Sequence, residues 1–196
     1  MRPPASPLLT ALRARTRPTH ERLDASPFTA RLTAGTLDAD GYRALIRWQR
    51  RAHAEVELGL ADFPWPAEYA YASRAAALAD ERVADNRDPT DADAEEEETD
   101  TALQPPTDLA TATGRAYVLE GSSLGGNLIL GHLRANSSLA AFAPFPLYAH
   151  QRTDGMPQWR AFVTFAASRS WTADETAIAC EAAAEAFAAF ERHLPS

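Results

Sequence analysis

Apolar residues recur along this chain at three- and four-residue spacings, the period of helices that bury one stripe. A first apolar-periodic stretch opens after Ser6 and runs to about Leu23, interrupted near Pro18. Thr16 is placed to cap a helix restarting there, with Pro18 tolerated in its first turn. Tyr42, Leu45, Ile46, Trp48 and Val56 predict a second helix from Thr36 or Asp38 to about Leu60, closed by the breaker Phe63-Pro64-Trp65-Pro66. Helix returns from about Glu68 to Val83. A long segment follows Pro105-Pro106-Thr107 and extends to about Arg134, where Asn136-Ser137-Ser138 ends it. Pro144, Pro146 and Gly155 mark a loop, and residues 157–169 read as a short helix carrying Trp159, Phe162 and Phe165. Thr172 or Asp174 caps a last helix through Glu191, with Ile178, Phe187 and Phe190 apolar. With β-branched runs scarce and no repeat or linker, the pattern predicts one all-α domain over residues 1–196, a multi-helix bundle of about seven helices.

One run breaks the helical composition from within. Gly121-Ser122-Ser123-Leu124-Gly125-Gly126 lies inside the long segment. Each glycine in a helix interior costs about 1 kcal/mol against alanine, so three forgo about 3 kcal/mol. Gly121 and Gly125 share one face, as do Ser122 and Gly126. The result is a bare, slightly polar surface about one turn long, suited to a flat ligand or to a closely packed second helix.

Charge sharpens the picture in two places. The formal net charge is -8, and Asp91, Asp93, Glu95 to Glu98 and Asp100 carry seven of those negative charges. Residues 88–106 therefore read as an acidic, solvated surface loop between helices, with a basic partner as the alternative. The overall charge disfavours nucleic acid. The N-terminus is the reverse: Arg2, Arg13, Arg15, Arg17 and Arg22 face only Glu21 over the first 22 residues. Such a basic helix suits anionic groups on a ligand, or simply a solvated face. The single cysteine, Cys180, excludes an intrachain disulfide and a multi-cysteine zinc cage, and in its alanine-rich setting it reads as a small core residue. No apolar run reaches the roughly 18 residues of a membrane span, and no secretion signal is visible, so a cytoplasmic location is expected.

His20 has Asp24 four residues on, where the carboxylate can engage Nδ1 and leave Nε2 free for a metal. A solvated surface pair is the plainer reading of the same spacing. A zincin motif fails for want of a second histidine, and no histidine has the glutamate three residues before it that a di-iron bundle requires. Gly121-Ser122-Ser123-Leu124-Gly125 formally matches the G-x-S-x-G nucleophile elbow. A serine hydrolase using Ser123 is thus the catalytic runner-up, although the elbow needs a parallel sheet that nothing else in the chain suggests.

Residues 12–24, L-R-A-R-T-R-P-T-H-E-R-L-D, residues 114–126, G-R-A-Y-V-L-E-G-S-S-L-G-G, and W-R-A-F around Trp159 together resemble the biliverdin-producing haem oxygenases, in particular the bacterial branch that accompanies bacteriophytochromes. The resemblance covers nearly the whole chain. It implies an all-α fold with haem, both substrate and cofactor, held between a proximal and a distal helix. It makes His20 the proximal iron ligand and Asp24 that ligand's acidic partner. Gly121, Ser122, Gly125 and Gly126 become the distal helix, with Leu124 against the ring. Arg13 and Arg17, with Tyr117, become contacts for the propionates, and Phe187 a lining residue, with Phe190 a second. O2 and an external electron donor, a reductase or a ferredoxin-type protein, complete the reaction, and a phytochrome would accept the biliverdin.

The chemistry of the residues agrees with that implication: imidazole suits iron, and arginine forks suit carboxylates. Two departures stand out. Ser122 occupies the place where mammalian-type members carry an aspartate that organises the proton-delivering water, and Ala149 follows Tyr148 where the family pattern has glycine. Ser122, Ser123 or Asn127 would then serve proton delivery. A haem-binding or trafficking protein without turnover is the rival on the same fold.

Overall fold

A computed structural model describes residues 6–81 and 103–195, and all regular structure in that span is helical. The acidic run falls outside the described residues. Eight α-helices follow in order: α1 (Pro7–Asp24), α2 (Pro27–Thr33), α3 (Ala39–Glu57), α4 (Ala75–Asp80), α5 (Leu109–Ala135), α6 (Pro146–His150), α7 (Met156–Ser168) and α8 (Ala173–Arg192). A 3-10 turn, Ser137–Phe142, follows α5, and a π turn, Gln151–Gly155, joins α6 to α7. The fold is all-α, as the periodicity predicts.

Helix starts follow local chemistry. Asp38 caps α3 by accepting from Gly41 N–H at 2.8 Å, and Asp108, just after Pro105-Pro106-Thr107, caps α5 through Thr111 N–H at 2.8 Å. Thr172 and Glu175 form a reciprocal capping box at the start of α8.

Four expectations are corrected. The first helix is continuous through Pro18. Thr16 caps nothing and donates its hydroxyl to Leu12 O at 2.8 Å, while Pro18 is exposed, so water can satisfy the carbonyl that its missing N–H leaves free. A helix absent from the periodicity, α2, starts at Ser26-Pro27, with Ser26 accepting from Thr29 N–H at 3.1 Å. Between Glu68 and Glu81, where the described residues stop short of Val83, α-helix is confined to α4; Tyr69, Tyr71 and Arg74, which precede it, are held instead by Glu57 of α3 and Glu120 of α5. Gly155 lies in no loop; it ends the π turn inside a run that is helical from Pro146 to Ser168.

Helix α8 is the common packing surface. Ala179, Ala182, Ala183, Ala186 and Ala189 are all buried, and such small side chains let neighbouring helices approach closely. A Cβ at Gly114 of α5 would run into the carbonyl oxygen of Ala179, which marks the closest passage of α5 over α8. Helices α1 and α5 both pack extensively on α8 and only slightly on each other. Trp48 of α3 closes the other side of α8, donating from Nε1 to Phe190 O at 2.8 Å. No helix among the described residues is long and apolar enough to cross a membrane.

Candidate functional site

Arg13, Arg17, His20 and Asp24 are spaced by four, three and four residues and form one stripe along α1. His20 Nδ1 lies 2.9 Å from Asp24 Oδ2. A carboxylate there accepts from Nδ1–H and leaves the Nε2 lone pair free, the tautomer that binds a metal through Nε2. Both side chains are more than half exposed, so the pair orients the ring and adds little stability. The imidazole meets Phe187 of α8 edge-on, with ring centroids 6.0 Å apart.

The arginines of α1 divide by side. Arg15 pairs with Glu181 at 3.1 Å and Arg22 with Glu191 at 2.8 Å, so this side fastens α1 to α8. Arg17 reaches only its own helix, 3.6 Å from Glu21, and Arg13 makes no ion pair among the described residues. Arg13 instead stands near Tyr117 of α5. Burial raises the Tyr117 phenol above its ordinary pKa, and the Thr16 hydroxyl and the Arg13 charge oppose that rise. Two cations with no strong partner therefore flank a half-buried phenol and an outward imidazole.

The glycine run presents two unlike faces. Outward, a Cβ at Gly125 would meet nothing within 4 Å among the described residues, and one at Gly121 only Trp159 Cζ3 at 3.8 Å. Leu124 and Leu128, on the same face, are 48% and 63% exposed. Burying two such side chains is worth about 1.5–3 kcal/mol each, so this face gains by being covered. Ser122 lies beside it, its hydroxyl turned back to donate to Leu119 O at 2.6 Å, a bond within the helix that favours bending.

Inward, every position is filled. A Cβ at Gly126 would collide with the Gln151 side chain, whose own Cβ would lie only 2.9 Å away. That corrects the sequence reading of Gly126: it serves the packing of the π turn and belongs to no bare surface. Gly155 of the π turn makes the reciprocal fit, receiving Ser123 into a notch where a Cβ would stand 2.5 Å from Ser123 Cβ. Ser123 is fully buried in mid-helix, with Arg74 Nη2 3.4 Å from its Oγ. Since no strand occurs among the described residues and substrate has no path to this hydroxyl, the serine-hydrolase alternative is overturned.

Beneath the run sits a buried polar cluster that the periodicity did not reveal. Arg74 Nη2 donates to Glu120 Oε2 at 3.0 Å, and Tyr69 OH donates to Glu120 Oε1 at 2.8 Å. Burial works against the Arg74 charge, but Glu120, Tyr71 and Glu57 outweigh it and hold the guanidinium pKa above its ordinary value. Burial, and then the Glu120 carboxylate, push the Tyr69 phenol up. One signal was available: a glutamate in the apolar centre of a helix requires a buried partner. Leu128 and Trp159 also border the bare face. Phe190 does not; it is buried against Trp48 and His53 on the far side of α8.

The Heme oxygenase family model matches residues 6–195 of the chain. No curated protein matches it, and no solved structure does.

Proposed function

From the premise that this chain belongs to the haem oxygenase family, whose members degrade haem, we propose that it converts haem, O2 and electrons into biliverdin, CO and free iron, and that it supplies a bacteriophytochrome with its chromophore. The observation that carries the reading is the outer face of α5: two glycines and two exposed leucines that, among the described residues, only Trp159 borders closely, on a helix that shares α8 with the helix bearing His20. A flat apolar ring with a metal at its centre and carboxylates at its edge fits these residues.

Bound haem supplies the iron that activates O2 and the ring carbon that is oxidised. His20 would offer Nε2 to that iron, with Asp24 fixing its tautomer. Arg13 and Arg17 neutralise the propionates, and Tyr117 adds a phenol hydroxyl. Gly121 and Gly125, which carry no side chain on the outer face, would let the α5 backbone come close to the ring. Leu124, Leu128 and Phe187 exclude water. The Ser122 hydroxyl, anchored to Leu119 O, is the candidate to hold a proton-delivering water where the family's mammalian-type members use aspartate. Electrons come from an external reductase or ferredoxin-type donor.

Titrating the purified protein with haem tests this reading, followed by a reductant in air. A saturable Soret band that decays as a biliverdin absorption rises is expected, and His20→Ala should lose the haem spectrum or turnover. A Soret band that persists under these conditions would leave a haem binder without turnover. Wild-type turnover in His20→Ala would overturn the ligand assignment.

A further inference from the structure

Arg74 sits between α3 and the glycine run and joins them. Its backbone N–H donates to Glu57 Oε1 of α3 at 2.8 Å, and Tyr71 OH donates to the same oxygen at 2.6 Å. Its side chain, fully buried, reaches Glu120 and Ser123 of α5. Glu120 immediately precedes Gly121, and Ser123 lies between Gly121 and Gly125. The segment that carries the bare face is thus tied from behind, at Glu120 and Ser123, by the guanidinium of a residue whose backbone is held to α3.

We propose that Arg74 is a positioning residue: it sets the height of the glycine face over the haem and so the space left for a small molecule bound there. This rests on the haem reading above. Three observations carry it. A helix segment holding three glycines has little stiffness of its own, and among the described residues only Trp159 comes within 4 Å of its outer glycine positions, at Gly121. A buried ion pair is a weak source of stability but a directional one. The guanidinium also reaches Glu120 and Ser123 of α5 through Nη2 and the Tyr71 hydroxyl through Nη1 at 3.4 Å, a fork that an ammonium point charge cannot reproduce.

Carbon monoxide bound to the ferrous haem complex is the probe, since its stretching frequency and dissociation rate report the space and polarity above the ring without turnover. The variants are R74M/E120M/Y69F, which replaces the cluster with apolar groups of similar volume, and R74K. The expected result is a triple variant that folds and binds haem with a wild-type Soret band but shows a shifted or split C–O band and a CO dissociation rate changed about fivefold or more. R74K should lie between it and the wild type. A folded triple variant with the wild-type band and rate would overturn the proposal. Should the triple variant fail to fold, R74K decides in the same way: an unshifted band overturns it, a shifted one supports it. A wild-type protein that forms no haem complex at all would instead refute the functional reading on which the proposal rests.

Discussion

On the inner side of α5, Gly126 makes room for Gln151, and Ser123 enters the notch that Gly155 leaves in the π turn. On the outer side of the same segment, Gly121 and Gly125 make room for almost nothing among the described residues, and Leu124 and Leu128 are about half exposed. Both faces omit side chains, but for different reasons. Inside, the omission is consumed by packing and secures the helix to its scaffold. Outside, it lowers intrinsic helix stability with no packing return, a loss that selection tolerates where a ligand supplies the contact. A glycine run in a helix is therefore no single signal; its meaning depends on which neighbours come within about 4 Å of each position.

The contrast can be tested first through acid stability, where the inner side is predicted to respond most. His53 of α3 is fully buried, its Nδ1 2.8 Å from Gln49 O. Burial, and then the Arg74 charge, lower its pKa from 6.5 to about 4, with Glu57 opposing. Between those values the unfolded chain takes up a proton that the folded protein refuses, so stability is complete above pH 6.5 and declines as pH falls toward 4. The decline is about 3 kcal/mol for this group. Denaturant melts of wild type and His53→Leu across that range should converge at low pH, and parallel curves would remove His53 from the account.

Next in size is the packed notch. Gly155→Ala places a methyl against Ser123 Cβ, which cannot move without α5, and should destabilise the protein by about 2 kcal/mol. Gly126→Ala should cost less, because the end of the Gln151 side chain can swing aside and its Cβ, at 2.9 Å, need give way only slightly. Thermal melts without haem would show both. Smallest, and opposite in sign, is Gly125→Ala. With nothing within 4 Å of the new methyl, it should stabilise the haem-free protein by about 1 kcal/mol through helix propensity. A loss of stability would mean that the outer face is not bare. Gly125→Leu at the same position should leave the haem-free fold intact and weaken haem binding by about tenfold or more.

Sequence alone determined a good deal here. The three- and four-residue spacing of apolar positions gave the helical class, and local side-chain chemistry fixed the starts of α3, α5 and α8, because a cap depends only on residues three apart. The same locality made the His20–Asp24 pair legible, since both members lie on one turn of one helix. The break expected at Thr16–Pro18 and the short α2 are local misreadings; the other failures are nonlocal. Tyr69 and Arg74 read as helix because their partners, Glu120 and Glu57, are 51 and 17 residues away. Gly126 read as part of a bare face because Gln151 comes from another element, and Ser123 read as a nucleophile because its burial is invisible in one dimension. Periodicity tells which side of a helix is apolar; only the packing of α5 against α8, the π turn and Arg74 decides which of its glycines are filled and which face remains to be covered.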